Sequence, residues 1–189
     1  MKIWQIIKKY GISFLFCLFL VFSFNVFVFQ TYIVQGHSMD PTLQDQEYIY
    51  TSKLGHTFSS LPQYNDIVVI DSRIERKRTF LDDIQNNNFI QLFLRTPEDY
   101  IFVKRVIGKP GDTLEIKDNS IYRNGEKLNE SYIKEIMKTP FKQIWIVPQH
   151  YVFVMGDNRN NSKDSRVFGP ISLDHVLGKV ISGWGFNHY

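Results

Sequence analysis

Residues 11–29, GISFLFCLFLVFSFNVFVF, contain no charged side chain. About 19 such positions in a helix cover roughly 29 Å, the thickness of a bilayer core. Lys2, Lys8 and Lys9 precede the segment and no basic residue follows until Lys53. That asymmetry predicts a cytoplasmic N-terminus over residues 1–10, a transmembrane anchor over 11–29, and an extracytoplasmic domain over 30–189. A cleaved secretory leader is the competing reading. Leader cores run about 7–15 residues and end at an A-x-A-like site, and the chain holds no alanine at all. Retention as an anchor in the lipid bilayer is therefore expected, with Gly36 and Ser38 the small residues that a cleavage site would otherwise use.

The remaining residues leave room for one domain with its own core. Apolar and β-branched runs recur at 31–35, 66–71, 100–107, 112–116, 120–128 and 151–156, which reads as strands. Asn124-Gly125 inside the fifth run signals a two-residue hairpin turn, and Pro110-Gly111 a turn between strands. Pro140 and Pro148 bracket a stretch unsuited to a central strand. Short helices are expected near 131–137 and 173–177. The fold class is thus mainly β, an antiparallel sheet domain with short helices behind the N-terminal helix. Residues 71–96 break this pattern with mixed charge and read as a solvated surface excursion. Within it, Phe80, Phe89 and Phe93 are candidates for touching a membrane surface.

Composition removes several functions. A net charge of +3, with bases scattered among acids, gives no footprint for nucleic acid. The single cysteine, Cys17, permits no intrachain disulfide, and the five histidines never fall at metal-ligand spacing. Neither a metal nor another cofactor is expected. Calcium at the acids of 157–164 is a weaker alternative, since the EF-hand spacing is missing and Arg159, Lys163 and Arg166 dilute the charge.

Three segments carry chemistry. Ser38, in QGHSMDPTL, follows an extended segment shortly beyond the membrane edge, with Gly36 allowing close approach and Pro41 fixing the chain after it. A serine hydroxyl needs a base to attack an amide, and histidine or lysine can serve. Lys104 lies in YIFVKRVI, where strand alternation puts it with Phe102 and Val106, opposite Ile101, Val103 and Arg105. Burial among apolar neighbours would lower its pKa from about 10.4 towards neutrality and leave an amine able to accept a proton. The plainer reading is a lysine whose stem covers apolar surface while its head stays wet. The third segment, 154–169, gathers Asp157, Asn158, Ser162, Asp164 and Arg166 into a potential hydrogen-bonded network.

In this order the segments resemble the type I signal peptidases: SMDPTL at 38–43, NDIVV at 65–69, FVKRVIGKPGD at 102–112 and GDNRNNSKDSR at 156–166. The resemblance spans nearly the whole chain and implies a Ser-Lys dyad on a mainly β fold. By it, Ser38 is the nucleophile and Lys104 the general base, with the Ser38 backbone amide in the oxyanion hole. It further implies that Ser162 hydrogen-bonds the lysine, that Asp164 and Arg166 form an ion pair, and that Asp157 and Arg105 hold the neighbouring loops. Val34, Gly36, Met39, Leu43 and Val103 match substrate-binding positions that suit small side chains. The implied partners are signal peptides of secreted preproteins, cut after A-x-A-like sites, with the peptide adding as a strand. Two positions depart from the family pattern: Asn65 stands where glycine is usual, and Gly36 where some members supply a serine hydroxyl to the oxyanion. Two rival readings stand beside this one, a histidine-dependent hydrolase using His37 or His150, and a catalytically silent extracytoplasmic binding module on the same scaffold.

Overall fold

The computed structural model describes residues 2–87, 90, 100–138 and 142–183, the side chains of 2–9, Asn25, Phe80, Ser182 and Gly183 excepted. Phe89, Phe93, Pro140 and His188 lie outside the described residues, as does the side chain of Phe80. The uncharged segment forms helix α1 (Lys2–Phe27), and Phe29 already opens a strand, so the helix ends two residues short of the expected boundary. Ten large apolar side chains between Tyr10 and Phe24 stand at least half exposed on α1, Phe22 being the partly covered exception. No protein core covers them. Among the described residues no helix is long and apolar enough to cross a membrane.

Past α1 come β1 (Phe29–Ile33), β2 (Tyr48–Ser52), α2 (Leu54–Thr57), β3 (Ile67–Asp71), α3 (Phe80–Gln85), β4 (Ile101–Gly108) and β5 (Thr113–Lys117). They are followed by β6 (Ser120–Arg123), β7 (Glu126–Lys127), β8 (Gln143–Ile146), β9 (Tyr151–Met155), α4 (Ser165–Phe168), β10 (Ile171–Ser172) and β11 (Val176–Gly183). Seven strands form one sheet in the order β1-β2-β11-β3-β4-β9-β10, and four form a second in the order β7-β6-β5-β8. Every pairing described is antiparallel.

The apolar alternation of these strands builds three clusters. Tyr32, Val34, Met39, Leu43, Ile67 and Val69 share one with Ile101 and Val103 packed on it. Val68, Ile70, Val106, Val152 and Val154 form another, with Phe102 against it. Neighbouring residues of β4 thus face opposite sides, as strand geometry requires. The third, around Leu114, Ile116, Ile121 and Phe153, joins the small sheet to the large one. At the β6–β7 hairpin Asn124 and Gly125 take φ of 54° and 87°, the positive pair that a type I′ turn demands.

Several expectations change. Residues 131–137 form no helix; their backbone bonds outward instead, Lys134 N donating to Asp157 O at 3.2 Å. The expected helix at 173–177 is a single 3₁₀ turn over Leu173–His175 before β11 begins. β11 itself has a glycine in its middle because a side chain at Gly178 would lie 2.5 Å from Ser52 O. The 71–96 excursion is no loose solvated loop where it is described. Asp71, fully buried, receives the guanidinium groups of Arg73 at 2.6 Å and of Arg78. Thr79 and Asp82 close a capping box at the start of α3.

Candidate active site

Ser38 lies in the turn between β1 and β2. Met39 and Leu43, 1% and 0% exposed, sink into the core on either side of that turn, and Leu43 N donates to Met39 O at 3.0 Å. Their burial fixes the backbone that carries the hydroxyl. Lys104 enters from β4, which β11 and β3 separate from β2 in the large sheet, and its Nζ hydrogen-bonds Ser38 Oγ at 2.7 Å and Val103 O at 2.9 Å. The register is set by β3, which places Val68 opposite Lys104.

Lys104 is 3% exposed. Burial pushes its pKa down from 10.5 to about 8, against the pull of the Asp164 and Asp157 carboxylates and with some help from Arg166. Because the folded value lies below the unfolded one, the unfolded chain binds more protons between about pH 8 and 10.5. Stability therefore rises with pH through that window and is lowered by a constant amount below it, about 3 kcal/mol in all. Urea unfolding from pH 7 to 11 should show this rise in the native chain and not in Lys104→Met; parallel curves for the two would contradict the burial argument.

The 156–166 loop closes the site. Gly156, at the end of β9, comes so near the nucleophile turn that a side chain there would lie 2.4 Å from Ser38 O and 2.3 Å from Ser162 Oγ. Asn158 ties the two segments together, its amide N donating to Ser38 O at 3.1 Å and its Nδ2 to His37 O at 2.9 Å. Arg166 makes the expected pair with Asp164, Nε to Oδ1 at 2.8 Å and Nη2 to Oδ2 at 2.8 Å, and Asp164 also accepts from Gly156 N at 3.0 Å. Arg105 likewise meets Asp157 through Nε at 2.8 Å and Nη2 at 2.6 Å, both groups buried. Ser162 corrects the expectation. Its Oγ is buried without a hydrogen-bond partner and does not bond Lys104, because the lysine amine is directed to Ser38 and its own strand.

Of the expected substrate-binding residues, Val34, Met39 and Val103 line a cavity of about 60 Å³ together with Ser38, Phe102 and Lys104. Leu43 and Gly36 do not line it. Leu43 lies in the core beneath Met39, and Gly36, with φ 85°, ties its N–H to Asp45 Oδ1 at 2.7 Å. His37 is mostly exposed and faces Asp40 at 3.5 Å, while His150 lines a separate cavity. Neither bonds Ser38. Asp157 and Asp164 are each spent on a guanidinium, and among the described residues no group of acids, histidines or cysteines is arranged to hold a metal ion.

Sequence reasoning missed the brace formed by residues 130–138. Glu130 grips Arg159 through two bonds of 2.8 and 2.6 Å, and Tyr132 lies against Arg105 at 4.1 Å. Lys134 Nζ reaches Asp40 at 2.9 Å, two residues beyond the nucleophile. Nothing in the sequence marks these partners, whose meeting depends on how the small sheet folds back.

A family model described as "Signal peptidase, peptidase S26" matches residues 7–184. Signal peptidase I P of Bacillus subtilis subsp. natto is 37% identical over 165 residues, covering 80% of this chain and 74% of that protein. Signal peptidase IB of Staphylococcus aureus is 32% identical over 188 residues, covering 90% and 85%. A crystal structure of a signal peptidase I from Enterococcus faecalis, 30% identical, covers 65% of this chain and 97% of its own, with a TM-score of 0.45.

Proposed function

Since this chain belongs to the signal peptidase family, peptidase S26, we propose that it is a membrane-anchored endopeptidase that removes signal peptides from secreted preproteins with a Ser38–Lys104 dyad. The observation that carries the chemistry is the 2.7 Å contact between a serine hydroxyl and a buried lysine amine. A neutral Lys104 takes the Ser38 proton as Oγ attacks the scissile carbonyl, giving a tetrahedral oxyanion towards which the Ser38 N–H donates. Collapse expels the new amino terminus, which takes the proton from Lys104. Water, deprotonated by the same amine, then frees the signal peptide from the acyl-enzyme. Asp164, Arg166, Asp157 and Arg105 keep the loops in place.

The small cavity beside the dyad suits alanine-sized side chains before the cut, with Val34, Met39 and Val103 as its walls and Leu43 and Gly36 holding them. Two features support the anchor over 11–29: the uncharged run and the apolar side chains left open around α1. On this reading residues 1–10 are cytoplasmic and 30–189 form the extracytoplasmic catalytic domain. Incubating the detergent-solubilised chain with a synthetic preprotein should give one cut after its A-x-A site, and a version with tryptophan before the cut should survive. An uncut A-x-A preprotein would sink the assignment.

A further inference from the structure

At the end of α1 lies a second cavity, of about 240 Å³, walled by Val26 and Phe27 on the helix and by Lys53, His56, Thr57 and Asp83 on the domain. It is built, not incidental. Lys53 N donates to Val28 O at 2.9 Å and Thr57 Oγ1 to Phe27 O at 2.8 Å, so α2 is stitched to the helix exit. Lys53 is 3% exposed, yet among the described residues its Nζ has one hydrogen bond, a 3.3 Å contact with Gln30 Oε1. Among the described residues no carboxylate lies within ion-pair reach of it. Asp83, the acid in the cavity wall, is already held by Arg78 at 2.7 Å and by His56 at 3.4 Å. The other ring nitrogen of His56, Nδ1, is buried with no partner.

A buried ammonium without a counterion is costly, and the fold gains if an anion supplies one. Burial lowers the Lys53 pKa, with the nearby Asp83 charge pulling it back up and Arg78 pushing it down. The position of the cavity then selects the anion. Its apolar wall is the last turn of the helix read above as the anchor, so it opens where the outer headgroup layer would lie. We infer that this cavity binds the phosphate of an anionic phospholipid headgroup, with Lys53 as counterion, His56 and Thr57 as hydrogen-bonding neighbours, and the acyl chains beside Val26 and Phe27. This site is distinct from the dyad, and the inference rests on the anchoring reading.

The test uses the full chain in maltoside micelles doped with phosphatidylglycerol or phosphatidylcholine, with inorganic phosphate as a third arm, and reads thermal unfolding. Phosphatidylglycerol should raise Tm by about 3 °C over phosphatidylcholine at saturating lipid. Lys53→Met should fold, melt no lower than the native chain in phosphatidylcholine, and lose the increment; His56→Leu should lose part of it. An equal increment in Lys53→Met overturns the site, and the same protection from inorganic phosphate alone overturns the lipid as its source. Alkaline extraction of liposome-reconstituted chain separates the two failures. A chain that washes off has no anchor, whereas one that stays embedded without responding to phosphatidylglycerol has an anchor and no such site.

Discussion

Lys104→Met and Ser38→Ala should each lower kcat/KM for a synthetic preprotein by at least about 10³-fold, while His37→Ala stays within about threefold of the native chain. The asymmetry follows from the contacts. Lys104 is the side chain that hydrogen-bonds Ser38 Oγ, whereas His37 turns to Asp40 and solvent. Methionine keeps the volume and apolar stem of the lysine, so the loss should appear without a loss of fold. The two changes should also combine poorly, the double variant being about as inactive as either alone, because nucleophile and base act as one unit. The pH profile supplies a second reading of the same group. With Lys104 held at about 8 by burial, kcat/KM should fall about tenfold per pH unit below that value as the amine is protonated. A flat profile from pH 6 to 9, or near-native turnover by Lys104→Met, would remove lysine from the chemistry.

Gly156→Ala is expected to cost about 100-fold in kcat with KM changed little. The added methyl group would press on Ser38 O at 2.4 Å, which is backbone, and on Ser162 through both Oγ at 2.3 Å and Cβ at 2.6 Å, so turning the hydroxyl alone would not clear it. Either the 156–166 loop or the nucleophile turn must shift, and a displacement near 1 Å is enough to spoil attack geometry. Since Asn158 bonds both Ser38 O and His37 O, the movement should reach the hydroxyl and not dissipate in the loop. Overpacking of this kind also lowers stability by about 1–3 kcal/mol, measurable by urea unfolding. Native kcat in a demonstrably folded Gly156→Ala would show that the turn is softer than its packing implies.

Much of this was legible where chemistry and periodicity coincide. The alternation in YIFVKRVI correctly separates Lys104 from Arg105, and Asn124-Gly125 marks a turn that φ values of 54° and 87° bear out. β8 is an edge strand of the small sheet, in keeping with the prolines around it. The misses have a common cause in long-range contact. β11 sits third in the large sheet, yet Gly178 and Lys179 interrupt its apolar pattern, the glycine because a side chain there would lie 2.5 Å from Ser52 O. Similarly, the segment 131–137 has helix-compatible residues but spends its backbone and side chains on Asp157, Asp40 and Asn160. Glu130 and Arg159 are ordinary surface types until folding buries them against each other. Gly156 could have been suspected as a glycine ending an apolar strand, but what it leaves room for lies 118 positions earlier in the chain, at Ser38.

Lys104 and Arg105 are adjacent basic residues on β4, and the pleat sends one to Ser38 and the other to Asp157. The spacing of that strand is therefore a chemical variable as much as a structural one. A single residue inserted ahead of Lys104 would leave every side chain intact and yet turn the lysine to the face of the Asp157 carboxylate, where it would stay charged and leave the nucleophile without its base. Inactivation here needs no damaged group, only a change of phase.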